Sequence, residues 1–350
     1  MFVKKVLFSV ENRITKLSDR KFCFILVLAV FIKNGLHPIG PDWLNSLYIA
    51  SSRFPEYYSY FSSSMLPIFI VKILNYPPYI VWWIASGLFS LVVFAQVFWF
   101  LNKTYKDDFK KVTLVFLTLP LFISPFLYIG HYDQFTILAA LIVFQVKNNL
   151  FIFLAALIAS LANPEQALAT SLCLLFIFLA VRDKITKIIF LSWLFCSTLV
   201  LLLLNNLFGR AEHNRRSNVI IGEVTQVLSS SLGLLNLIIF SLFGVAWILI
   251  IYKFWTNYNT HLLIGAVFIP LLLSVFILDH TRVGVAVGAL PLLLLIRFLF
   301  SSTPLLKFRL RFFYVYFLVY MFIPTIFVDF DNTIRLPYQE LVKFLLQFNV

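Results

Sequence analysis

Charged side chains are scarce in this sequence. They make up 12% of its 350 residues, against 61% hydrophobic ones, and the mean hydropathy is +0.94. A soluble domain carries about 25% charged and about 45–50% apolar residues. A fold solvated by water on all sides is therefore excluded, and lipid is the solvent that fits. Cysteine is nearly absent. Cys23, Cys173 and Cys196 each lie in an apolar run, with no C-x-x-C spacing, so no disulfide framework is implied. They are expected to be small packing residues. Also missing are a Walker A loop, G-x-G-x-x-G, G-x-S-x-G and H-E-x-x-H. Soluble nucleotide chemistry is thus unsupported, and neither metal nor cofactor is expected. The net charge of +13 has no basic stripe interleaved with stacking aromatics, so no nucleic acid partner is expected.

What is present is a succession of long apolar runs. A membrane helix needs roughly 20 apolar residues. Runs of that kind fall near 21–39, 79–101, 112–130, 134–147, 150–163, 167–181, 188–207, 234–252, 261–278, 283–300 and 312–328. The expected fold is all-α: one polytopic transmembrane helical domain over 1–350, with about eleven spans. The runs at 134–147 and 150–163 are short, and a thin helical hairpin there would leave the later parity unchanged. Residues 40–78 read as a first outer loop. Met65 to Leu74 is too short to span, and Asn75-Tyr76-Pro77-Pro78 breaks it, so this loop is expected to carry interfacial or re-entrant helix. A second large outer loop covers 208–233, and 329–350 is a short amphipathic tail. No A-x-A-like site follows the first apolar run, which is expected to stay as an anchor.

Charge orients the chain. With the N-terminus in the cytoplasm and the C-terminus outside, the inner turns gather 19 basic residues against 5 acids. The outer turns hold 8 basic residues against 10 acids, and Lys33 lies inside the first run. This is the positive-inside pattern, and it is lost if 65–74 spans. A plasma (inner) membrane of a prokaryotic cell is the expected location.

The outer turns carry the chemistry. They hold His37, Asp42 and Glu56, then Gly130-His131-Tyr132-Asp133-Gln134, then Asn163-Pro164-Glu165-Gln166. Next come Arg210, Glu212, His213, Arg215, Arg216 and Glu223, and finally Asp279-His280-Thr281-Arg282. Ionisable groups at the hydrocarbon boundary are costly unless paired or functional. Carboxylates, imidazoles and guanidiniums together suit a phosphorylated substrate, because arginine grips phosphate bidentately and a carboxylate serves as general base. Each group also has a plainer role. Asp42 would be a solvated loop residue, and Arg210, Arg215 and Arg216 contacts to lipid headgroups. Asp279 and Arg282 would be an ion pair, with His131 and Asp133 capping a helix. Glu165 would sit in a helix first turn behind Pro164.

This layout resembles the GT-C superfamily of integral membrane glycosyltransferases. Gly40-Pro41-Asp42-Trp43 and the 43–75 stretch match its first outer loop, which carries a catalytic Asp and membrane-parallel helix. Gly130-His131-Tyr132-Asp133-Gln134 is similar to a short polar motif before a later helix, and Asn163-Pro164-Glu165-Gln166 resembles another family turn. Many members carry a second acid close to the loop Asp; here the nearest is Glu56. The resemblance implies an inverting, metal-independent transfer of a sugar from a polyprenyl-phosphate donor to a glycan or lipid-linked acceptor. Asp42 would be the base. Arg210, Arg215, Arg216, His280 and Arg282 would bind the donor phosphate. His131, Asp133, Glu165, Gln166 and Asp279 would support them. Membrane lipids would surround the tail of the donor. Rival readings are an O-antigen-type polymerase or ligase, a lipid-linked sugar flippase or transporter, and a non-catalytic assembly subunit.

Overall fold

The computed structural model describes residues 17–55, 60–208, 235–256, 259–275, 280–301, 308–326 and 334–347. Arg210, Arg215, Arg216, Glu56 and Asp279, with nearly all of the 208–233 loop, lie outside the described residues. What is described is mostly helix, with one two-stranded antiparallel ribbon pairing Thr325–Ile326 with Ile334–Arg335.

In chain order the helices begin with α1 (Asp19–Asn34), α2 (Pro41–Ser52), α3 (Met65–Ile73) and α4 (Tyr79–Thr104). They continue with α5 (Phe109–Leu117), α6 (Pro120–Leu127), α7 (Asp133–Gln145), α8 (Asn149–Ala162), α9 (Pro164–Val181) and α10 (Lys184–Phe208). Helix α11 covers 235–243 and runs through a 3-10 turn into α12 (Trp247–Thr256). Helices α13 (Thr260–Leu263) and α14 (Ile269–Val275) are joined by a π-helical turn, followed by α15 (His280–Ser301), α16 (Leu310–Phe322) and α17 (Gln339–Gln347).

Among the described residues four helices are long and apolar enough to cross a membrane: α4, α9, α10 and Leu235–Tyr252. A fifth candidate is the pair made by Lys106–Leu117 and α6, bent by 52°. The expected single span over 112–130 is thus two helices. Its interruption has a local cause. Leu119 precedes Pro120 and takes the extended conformation that this position favours, and the next helix starts with Pro120 at its first turn.

Large apolar side chains point outward along the long helices, including Ile80, Leu88 and Trp99 on α4 and Phe195, Leu202 and Leu203 on α10. Bare to water, such a belt would drive aggregation; facing acyl chains it costs nothing. The interior is filled instead by α7, buried on nearly every face and packed against α4, α8 and α15. Small residues permit close approach where lipid offers no hydrophobic drive between helices. A Cβ added to Gly265 in the π-turn would lie 2.5 Å from the Cys173 carbonyl oxygen of α9. Within 40–78, α2 and α3 pack on one another through Leu44, Leu47, Ala50, Ile68 and Val71. They form a small cluster against Trp82 at the start of α4. In the tail the described residues form one ribbon strand and α17, which packs against α1.

Candidate functional site

Two backbone segments about ninety residues apart are stitched together at one end of the bundle. His37 N donates to Phe126 O (2.9 Å), Ile129 N to His37 O (3.1 Å) and Ile39 N to Ile129 O (3.1 Å). The stitch fixes where α2 begins, so Pro41, Asp42 and Trp43 emerge beside the Gly130–Gln134 turn.

That turn is held by its own residues. Gly130 has φ +90°, which a side chain rarely tolerates, and a Cβ there would lie 2.6 Å from Trp82 Nε1. The same indole nitrogen donates to Gly130 O at 3.0 Å. Gln134 Oε1 accepts from Gly130 N (3.0 Å), while its Nε2 donates to Ser86 O (2.7 Å) and to Ser90 Oγ on α4. Gly130→Ala is expected to destabilise the protein by on the order of 3 kcal/mol, combining backbone strain with overlap on Trp82. Thermal unfolding of the purified protein in detergent measures this, and an unchanged midpoint would contradict it.

His131 and Asp133 are both 2% exposed. The expected capping role is not what Asp133 performs. Tyr132 stands at the N-cap without a side-chain cap, and the Asp133 carboxylate instead gathers partners from three segments. His131 Nδ1 is 3.2 Å from Oδ2, Arg282 Nε is 3.0 Å from Oδ2, and Asn163 Nδ2 donates to Oδ1 at 3.4 Å. Arg282 Nη1 also contacts His131 Nε2. Arginine has donors only, so Nε2 must be the accepting nitrogen and the imidazole proton belongs on Nδ1, facing Asp133. The backbone N–H of Asp133, 3.3 Å from the same Nδ1, is then the weaker contact. The result is a buried carboxylate and a partly buried guanidinium bridged by a neutral imidazole of fixed tautomer.

Aromatic rings close over this group. The Trp43 ring lies 4.6 Å from that of His131 and 5.7 Å from that of Tyr132, and the Arg282 guanidinium lies 5.9 Å from the Tyr132 ring. Asn163 does double duty. Its Oδ1 accepts from Gln166 N (3.2 Å) to cap α9, whose first turn holds Pro164 and Glu165. Glu165 is half-buried and Gln166 buried, and Gln166 Oε1 has no hydrogen-bond partner among the described residues. Asp42 sits in the first turn of α2, exposed, with its backbone oxygen accepting from Ser46 Oγ at 2.9 Å.

Of the site residues read from sequence, His131, Asp133 and Arg282 therefore meet directly, and Asp42 is one residue from a ring that covers His131. Glu165 and Gln166 follow the asparagine bonded to Asp133. His280 opens α15 two residues before Arg282. Trp43, Tyr132 and Asn163 belong to motifs visible in the sequence, but their roles were not. An asparagine before a proline signals a cap, yet nothing in it tells of a contact to residue 133. Among the described residues, no three His, Cys, Asp or Glu side chains gather as metal ligands do. No protein family, curated protein or solved structure matches this chain.

Proposed function

We propose that this protein is a membrane glycosyltransferase of GT-C type, moving a sugar from a polyprenyl-phosphate donor to a glycan or lipid-linked acceptor at the non-cytoplasmic face of the plasma membrane. The single observation that carries the reading is the convergence of four segments, the 37–43 entry to α2, the 130–134 turn, Asn163 and Arg282, on one polar group beside an exposed carboxylate. Such a group is expensive to keep next to hydrocarbon and speaks for function.

In this mechanism Asp42 takes the proton of an acceptor hydroxyl. The oxygen attacks the anomeric carbon in line, the bond from that carbon to the phosphate oxygen breaks, and polyprenyl phosphate leaves with the electron pair. The leaving group needs no general acid. Arg210, Arg215, Arg216 and His280 bind its phosphate and stabilise the charge developing there. Arg282, with Asp133 and His131, holds the floor of the site rigid and adds its positive charge to the field. Gln166 Oε1 accepts from a sugar hydroxyl. In this reading eleven crossings put all of these groups outside, with α7 and α8 as a pair of short crossings and α5–α6 as one bent span. Topology reporters fused at residue 133 or 280 are expected to report the non-cytoplasmic side.

The deciding experiment reconstitutes the purified chain with polyprenyl-phosphate-linked sugars and follows the products by mass spectrometry. Release of polyprenyl phosphate with a new glycosidic bond supports the proposal. Movement of intact lipid-linked sugar without a new bond would make the protein a flippase, and a ladder growing by whole repeat units would make it a polymerase.

A further inference from the structure

A second polar site lies apart from the group just described, at the end of α1. Lys33 is 2% exposed, and its ammonium stands 3.5 Å from the centre of the Tyr320 ring on α16. It faces a small cavity of about 30 Å³. The walls come from the break between α5 and α6, from α11 and the turn after it, and from the end of α16 with the first ribbon strand. Lys33 has no carboxylate partner among the described residues. Its position in the last turn of α1 favours a cation. A helix end, however, needs no cavity and no ring beneath the charge.

The donors around the cavity can be counted. Thr118 Oγ1 gives its proton to Val115 O, Thr325 Oγ1 to Asn34 Oδ1 and Ser241 Oγ to Ile238 O. Tyr320 OH accepts from Asn34 Nδ2 at 3.1 Å, and its own proton has no acceptor among the described residues. Among the side chains of the described residues, one ammonium and one phenol remain. That set suits a ligand with a single negative charge and does not suit a pyrophosphate. The other walls, among them Leu119, Ile123, Phe240, Val245 and Ile326, are apolar. An anion seated here must arrive attached to something that hydrocarbon tolerates, and the abundant monoanion of a bilayer is the phosphodiester.

We infer that the Lys33 cavity is a binding site for the phosphodiester of a membrane lipid, separate from the Asp133–Arg282 group. The ammonium and the Tyr320 hydroxyl hold the phosphate oxygens at the cavity, and the glycerol and acyl chains stay outside it in the surrounding hydrocarbon. The inference needs only a membrane setting, so it stands or falls independently of sugar transfer.

The test delipidates the full chain in maltoside detergent, titrates it with dioleoyl phosphatidylglycerol, and counts retained lipids by native mass spectrometry. Wild type is expected to retain one saturably bound lipid, which Lys33→Arg keeps and for which Lys33→Met loses about 10- to 100-fold in affinity. Tyr320→Phe keeps the ring and is expected to lose about 3- to 10-fold. It provides the reading should Lys33→Met fail to accumulate. Dioleoylglycerol, with the same chains and no phosphate, is expected not to bind. Equal retention by wild type and both weakened variants would overturn the inference. So would saturation of the site by inorganic phosphate alone, which would make it a site for free anions. A chain that retains lipid only after Asp329→Asn and Asp331→Asn would show Lys33 to be neutralised from within, and would overturn it as well.

Discussion

Replacing Asp42 by asparagine is expected, on the proposed mechanism, to slow sugar transfer by about 10²- to 10⁴-fold, the usual contribution of a general base, while leaving the amount of folded protein in the membrane unchanged. The two halves of this expectation have different origins. The loss follows from removing the group proposed to take the acceptor proton, since an amide has almost no basicity. The unchanged protein level follows from the surroundings of Asp42. It is exposed, and its carboxylate makes no hydrogen bond or ion pair among the described residues. Its one structural benefit is a negative charge at the start of α2, worth about 0.3–1 kcal/mol. Transfer rates measured at matched protein levels decide the matter. A variant as fast as wild type would take Asp42 out of the mechanism.

Arg282→Ala is expected to behave in the opposite way, damaging the fold itself. The Asp133 side chain is 3% exposed and that of Arg282 11%. Removing the guanidinium leaves a buried carboxylate facing a neutral imidazole and an amide, a change that typically costs about 3–5 kcal/mol. It should appear as a large fall in the unfolding midpoint and in the yield from the membrane. Arg282→Lys should recover only part of the loss, because one ammonium cannot serve both Asp133 and His131 in the geometry of a planar fork. Adding Asp133→Asn to Arg282→Ala removes the stranded charge, so the double variant is expected to be more stable than Arg282→Ala alone. The pair would then show a coupling of about 0.5–3 kcal/mol in a double-mutant cycle. Simple addition of the two single effects would mean that the 3.0 Å contact carries no energy.

Much of this architecture is legible in the amino-acid order. Apolar runs ending at Asn163-Pro164 or broken at Pro77-Pro78 place α9 and α4 correctly, because a proline without its N–H marks a helix start at whatever depth it lies. The same rule applied to Leu119-Pro120 would have revealed the break between α5 and α6. Hydropathy hides it there, since leucine and proline both lie within an unbroken apolar stretch. The polar motifs at 130–134 and 279–282 point to a site, and their charges suggest that they meet. What local sequence does not reveal is the pairing. The plainer reading pairs Arg282 with Asp279, three residues away and outside the described residues; the contact seen is to Asp133, about 150 residues away. Trp43 over His131 and Tyr320 beneath Lys33 are likewise products of tertiary packing, and no periodicity records them. The eleven-crossing register rests on counting charges, which speaks to orientation and not to helix length. The 13- and 14-residue helices α7 and α8 are correspondingly shorter than a bilayer is thick.

The backbone stitch between residues 37–39 and 126–129 has a temporal side. At about 5–20 residues per second, synthesis of the intervening ninety or so residues takes on the order of 5–20 s. For that interval the newborn leading segment cannot find its partner strand, and Asp42 has no settled place. The end of the molecule that holds Asp42 is therefore unfinished while the residues between are being made, and it is completed only once Ile129 has cleared the ribosome.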